Sequence, residues 1–141
     1  AWLRTIKEKI TLNDVSGVEV TFPVISDLTM EVSKAFGMLQ PSASNTQAVR
    51  AVFIIDPEGI VRAILYYPLS NGRNMEEIKR LLIALQTSTK HGVATPANWK
   101  PGDDVIVPPP GSCGSAKERV QSPDPDMKVL DWFLTFKKCP K

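Results

Sequence analysis

Thr46-Gln-Ala-Val-Arg50-Ala-Val-Phe-Ile-Ile55-Asp-Pro-Glu-Gly-Ile60-Val-Arg-Ala-Ile-Leu65 decides the fold, together with Gly72-Arg73-Asn74 and the amphipathic stretch that follows to Leu85. Val49 to Ile55 is a near-continuous run of β-branched and aromatic residues, the pattern of a strand buried on both faces. Asp56-Pro57-Glu58-Gly59 then supplies a proline where φ is near −65° and a glycine where φ turns positive, so the chain reverses into Ile60 to Tyr67. The two runs predict a central antiparallel hairpin. Asn74 with Glu77 three residues on is a variant of the capping box, and Met75, Ile78, Leu81, Leu82 and Leu85 form an apolar stripe that would face the hairpin. Strand, strand and helix make a layered α/β unit.

Working towards the N-terminus, Thr21-Phe22-Pro23-Val24-Ile25 reads as a short strand, with Pro23 confining it to a strand start or a sheet edge. Val32, Ala35, Phe36 and Leu39 recur at helical spacing, which predicts a helix of about ten residues from Thr29, with Asp27 or Thr29 as cap and Gly37 near its end. Thr11 to Val20 reads as a loop. Leu3, Ile6 and Ile10 share one face of a first helix that no capping residue precedes. This entry in mid-helix suggests an engineered or processed product, or a fragment whose upstream residues are missing.

Towards the C-terminus, eight of the twelve prolines lie beyond Thr87. The composition predicts an extension from residue 89 to 141 without a globular core of its own, following a domain over 1–88. Its apolar islands, Asp104 to Val107 and Val129 to Phe136, are long enough for edge strands, and Trp99 and Trp132 need a surface to bury against. Such an arm packs on a second subunit or on its own domain, and we expect a homodimer.

The 141 residues, 43% hydrophobic, suffice for one domain with a core, and no apolar run reaches the roughly 18 residues that read as a membrane span. We therefore expect a soluble, cytoplasmic protein. A net charge of +2, from 17 Lys and Arg scattered among 15 Asp and Glu, makes no basic stripe for a nucleic acid. With one histidine, His91, neither a histidine-dependent triad nor a multi-histidine metal site is expected, and no cofactor is called for. Asp103-Asp104 and Asp124 to Asp126 read as turn carboxylates. The two cysteines, Cys113 and Cys139, do not make a disulfide framework.

Arg50-Ala-Val-Phe-Ile-Ile-Asp-Pro-Glu-Gly, Tyr67-Pro, Gly72-Arg73-Asn74 and Val93-Ala-Thr-Pro-Ala-Asn-Trp99-Lys-Pro-Gly-Asp-Asp-Val-Ile-Val-Pro together resemble the one-cysteine and archaeal type of peroxiredoxin. The Ala-Thr-Pro to Trp element with its Val-Ile-Val-Pro sequel is the specific part, and the similarity runs from Trp2 over nearly the whole chain. The resemblance implies a thioredoxin-like fold, here partial and followed by the proline-rich extension. It implies a thiol peroxidase that reduces hydrogen peroxide and organic hydroperoxides through a cysteine sulfenic acid and is recycled by an external thiol reductant.

The resemblance assigns Arg50 to the active-site arginine, which stabilises a thiolate without competing for its proton and donates hydrogen bonds to the peroxide. Arg73 matches a second arginine near the site or the dimer interface. Read without the family, each is an ordinary solvated arginine.

The family's nucleophile sits in a Pro-Val-Cys-Thr-Thr type of motif in the first half of the domain, and no such string occurs here. Cys113, in Pro-Gly-Ser-Cys-Gly-Ser, reads as a loop thiol with no helix N-terminus behind it. Cys139 reads as a frayed terminal thiol or a displaced resolving thiol. Where some relatives carry Cys-Tyr-Asp-Trp-Trp-Phe-Cys, this chain has Val129-Leu130-Asp131-Trp132-Phe133-Leu134-Thr135, without either cysteine. By itself the chain is expected to be inactive. The rival readings are a non-catalytic, truncated dimerisation or interaction module and, with no supporting base, an enzyme using Cys113.

Overall fold

A computed structural model describes residues 1–11, 14–40, 42 and 47–140. The chain forms two compact units, Ala1–Ala48 and Val49–Lys141.

In the first unit, α1 spans Trp2–Lys9, with Lys7 and Lys9 in its last turn opposite the negative end of the helix dipole. The second helix, α2 (Glu31–Ala35), is half as long as its apolar spacing predicts. Its start is fixed by Asp27, whose carboxylate accepts from Val32 N at 3.1 Å, Ser33 N at 2.8 Å and Ser33 Oγ at 2.6 Å. Those bonds, the Ser33 hydroxyl foremost, hold the Asp27 carboxyl below its ordinary range. Phe36 N bonds back to Val32 O and Gly37, at φ 62°, ends the helix.

The strand expected over Thr21 to Ile25 is not formed. Pro23 has no N–H to give a ladder, no other strand is present in this unit among the described residues, and Phe22 and Ile25 lie exposed.

The second unit opens with the expected hairpin. Strand β1 (Arg50–Ile55) pairs antiparallel with β2 (Val61–Tyr67), with Arg50 opposite Tyr67 and a register shift at Ile54/Ile55. In the turn, Gly59 at φ 81° donates to Asp56 O at 2.9 Å, while the Asp56 carboxylate accepts from Glu58 N and Ile60 N. Ala51 to Ile54 of β1 are half-buried instead of buried on both faces, and Arg50 and Ile55 are exposed, because this sheet has two strands. Helix α3 (Met75–His91) lies over the hairpin: Arg62 of β2 donates to Thr89 Oγ1 at 3.2 Å, and Ile54, Ile55, Leu82 and Leu85 line the groove between them.

Asn74 caps α3 by accepting from Glu77 N at 3.2 Å. The reciprocal half of the capping box is replaced, since the Glu77 carboxylate takes both Nε and Nη2 of Arg80, at 2.6 and 2.8 Å. That fork holds the Glu77 carboxyl below its ordinary range. Along the expected stripe Met75 and Leu82 are exposed, and the buried residue of α3 is Ala84.

The helix runs past Gln86 to His91 and ends on Gly92, whose φ of 60° is the left-handed geometry a glycine C-cap provides. The boundary expected at 88/89 thus falls within its last turn.

In the proline-rich segment the buried apolar side chains pack onto α3. Trp99 is 1% and Val105 0% exposed, and with Val93 they pack against Ala84 of α3. The Trp99 indole N–H donates to Asp103 O at 3.1 Å, and Arg80 Nη1 donates to Trp99 O at 3.2 Å. Strand β3 (Val105–Val107) follows, then α4 (Cys113–Gln121), β4 (Met127–Asp131) and β5 (Leu134–Lys137), in a three-stranded antiparallel sheet of order β3-β5-β4. Trp132, expected to need a surface, remains 46% exposed in the β4–β5 turn and stacks edge-on against Phe133 at 5.5 Å.

Candidate functional site

Arg50 is the first residue of β1, opposite the last residue of β2, so its side chain leaves the open end of the hairpin. Pro68 cannot extend the ladder, and the chain turns there: Asn71 N donates to Pro68 O at 3.0 Å. The turn brings Asn71 O within 3.1 Å of Arg50 Nη1. Two residues later comes Arg73, also exposed, and then Asn74, the cap of α3. The two arginines singled out in the sequence therefore belong to one end of the unit, one at the start of β1 and the other on the loop that accepts its hydrogen bond. The guanidinium of Arg50 is exposed and free to carry its charge to an anion at that end.

The cysteines lie in other parts of the unit. Cys139, expected to fray, packs half-buried against the cluster of Ala84, Val93, Trp99 and Val105. Cys113 is not in a loop. It is the first residue of α4, whose Ser112 cap accepts from Ser115 N at 3.2 Å, and it is exposed beside a cleft of about 650 Å³ lined by Pro110, Ala116, Lys117, Val120 and Trp132. Composition alone hid this helix, because Gly-Ser-Cys-Gly-Ser carries a capping serine inside what reads as a flexible tract.

The turn carboxylates act locally: Asp103 accepts from Lys100 N at 2.8 Å and Asp124 from Asp126 N at 2.9 Å. No group of three or more His, Cys, Asp and Glu able to hold a metal is found among the described residues. Nor is any helix among them long and apolar enough to cross a membrane. Asn71 escaped the sequence reading, although Tyr67-Pro68 followed by Ser70-Asn71-Gly72 is a legible turn signal.

A model of the AhpC/TSA family matches residues 2–64 and a model of the C-terminal domain of 1-Cys peroxiredoxin matches residues 84–122. A peroxiredoxin of Methanosarcina mazei is 57% identical over 98% of this chain. The chain belongs to the peroxiredoxin family. A peroxiredoxin of Thermotoga petrophila is 50% identical over 97% of the chain.

Among solved peroxiredoxin structures, a yeast mitochondrial 1-Cys peroxiredoxin, described for thiol resolution via glutathione/thioredoxin systems, superimposes with a TM-score of 0.76. It shares 34% identity over 97% of this chain and 63% of its own. A cysteine-to-serine mutant of peroxiredoxin 6 of Arenicola marina gives 0.73, at 34% identity over 89% of this chain and 60% of its own. The α/β architecture is accordingly the thioredoxin-like fold of peroxiredoxins. The chain spans 63% and 61% of the length of its Methanosarcina and Thermotoga petrophila relatives.

Proposed function

We propose that this chain is the C-terminal portion of a thiol peroxidase that reduces hydrogen peroxide and organic hydroperoxides, with Arg50 as the activating arginine and the peroxidatic cysteine upstream of the chain. The observation that carries the reading is Arg50 itself: an exposed guanidinium at the mouth of the hairpin, oriented by Asn71 O, in a chain of the peroxiredoxin family. The thiolate attacks the proximal peroxide oxygen, an S–O bond forms as the O–O bond breaks, and the leaving oxygen departs as water or an alcohol after taking a proton. The cysteine ends as a sulfenic acid. Arg50 lowers the thiol pKa and donates hydrogen bonds to the peroxide as charge moves to the leaving oxygen.

An external thiol then condenses with the sulfenic acid, releasing water, and a second thiol breaks the mixed disulfide to restore the cysteine. Cys139 fits a resolving role poorly, because its sulfur is packed against the Trp99 cluster. We assign Arg73 to substrate binding at the same end, and residues 89–141 to the family's C-terminal extension. Leu130 of β4 and Trp132 and Phe133 of the β4–β5 turn, all exposed, support a homodimer. A cytoplasmic location is inferred from composition.

The test is peroxide consumption by the protein carrying the upstream cysteine. Arg50→Ala should lower kcat/KM by about two orders of magnitude, the scale of one oriented charge donor in a transition state, with unchanged circular dichroism. Full activity in that variant would sink the role given to Arg50.

A second reading rests on the placement of the two cysteines, one opening α4 and the other on the Trp99 cluster. By that reading the chain is a truncated, non-catalytic dimerisation or interaction module, inert to peroxide. The intact mass of the purified protein separates the two: a mass well above that of these residues favours the peroxidase.

A further inference from the structure

We propose that Ser70 and Asn71 are positioning residues for Arg50, an inference that rests on the peroxidase reading above. The hairpin leaves the Arg50 guanidinium at its open end, where an arginine on a strand terminus samples several rotamers. The turn after β2 counters that freedom. Asn71 N closes it on Pro68 O at 3.0 Å, Ser70 Oγ donates to Asn71 Oδ1 at 2.8 Å, and the Asn71 carbonyl accepts from Arg50 Nη1 at 3.1 Å across a separation of 21 residues.

The acceptor's chemistry matters as much as its place. A carboxylate at that distance would hold the guanidinium more strongly but cancel much of the charge that a thiolate needs. A neutral carbonyl orients the planar fork and leaves its positive charge intact. It also occupies a single N–H of the five, so the opposite edge of the guanidinium stays available to a peroxide or a thiolate. Asn71 lies two residues before Arg73, and Asn74 anchors the loop to α3 through Glu77 N. The segment 68–74 therefore sets the direction of Arg50 and the position of Arg73 in one turn, braced at one end by Pro68 and at the other by the helix cap.

Two measurements test this separately from the peroxidase reading. The first uses the 141-residue chain and follows the guanidinium ¹⁵N–¹H signals of Arg50 by NMR. Ser70→Ala and Asn71→Ala should merge its distinct Nη signals into one exchange-averaged resonance, while Ser70→Thr, which keeps the hydroxyl, should preserve them. Unaltered Arg50 signals in both alanine variants would overturn the proposal whatever the activity of the protein.

The second uses the protein carrying the upstream cysteine. Ser70→Ala and Asn71→Ala should lower kcat/KM for hydrogen peroxide by about threefold to tenfold, the worth of one hydrogen bond, with Ser70→Thr restoring the rate. If Arg50→Ala cripples the reaction while both alanine variants keep the full rate, Arg50 is catalytic without help from the turn and the positioning role is refuted. An active Arg50→Ala protein would instead refute the peroxidase role of Arg50, and the NMR result would still decide whether the turn holds it.

Discussion

Replacing Trp99 with alanine tests whether the proline-rich segment is part of the folded core or an arm laid upon it. The indole is 1% exposed and packs with Ala84, Val93 and Val105. An aromatic side chain of this kind buries about 150–250 Å². At about 25 cal/mol per Å² that is roughly 4–6 kcal/mol, an upper figure because the unfolded chain already hides part of this surface. Substitutions of buried tryptophan by alanine fall at about 3–5 kcal/mol, and we expect that range for Trp99→Ala.

The bond from Trp99 Nε1 to Asp103 O adds about 1 kcal/mol. Trp99→Phe, which keeps most of the apolar contact but loses that donor, should therefore cost about 1–2 kcal/mol. Because a domain is stable by only about 5–15 kcal/mol, the alanine variant should lose a large share of its stability and unfold at a clearly lower urea concentration. Urea denaturation followed by far-UV circular dichroism is the assay, since Trp2 and Trp132 would confuse fluorescence. A loss below about 1 kcal/mol for Trp99→Ala would mean that the segment detaches without consequence for α3, and the reasoning about the core would be wrong.

Other outcomes follow from single contacts. Asp56 is held below its ordinary 3.8, first by the bond from Ile60 N, then by Arg62 and Glu58 N. A depressed carboxylate stabilises the fold above its unfolded value and loses that contribution as pH falls through the folded one, so Asp56→Asn should flatten the acid limb of the stability curve below pH 3.8. An unchanged limb would argue against the turn bonds. Gly92→Ala forces a side chain into φ 60° at the end of α3 and should cost about 1 kcal/mol in thermal unfolding, where a neutral result would point to relaxation of the cap. Thiol labelling with an alkylating reagent should modify the exposed Cys113 well before the half-buried Cys139, and equal rates would contradict the packing of Cys139 on the Trp99 cluster.

The hairpin and its helix were legible because their signals are local. Asp56-Pro57-Glu58-Gly59 specifies its own turn, and Asn74 needs only the Glu77 amide three residues on to start a helix. The short strand over Thr21 to Ile25 failed for the opposite reason: β-propensity describes a surface that fits a sheet, and with no strand among the described residues of its unit Phe22 and Ile25 stay exposed. Cys113 was misplaced because glycine and serine are common in flexible tracts, while one serine hydroxyl bonded to Ser115 N is enough to begin α4. Arg50 and Arg73 could be named from motifs, but their relation to Asn71 depends on a turn that folds back across the hairpin end.

Periodicity, turn chemistry and the family motifs determined the α/β class, the hairpin, the third helix and the identity of the candidate arginines, each being a property of neighbours along the chain. Tertiary structure alone decided that the proline-rich segment supplies the most buried residues, that Cys139 is drawn onto the Trp99 cluster and that a backbone carbonyl orients Arg50. The physical reason is range. Composition reports how readily a segment bends or extends, whereas burial depends on which distant surface it meets, and Trp99 finds Ala84 only after the chain has turned at Gly92.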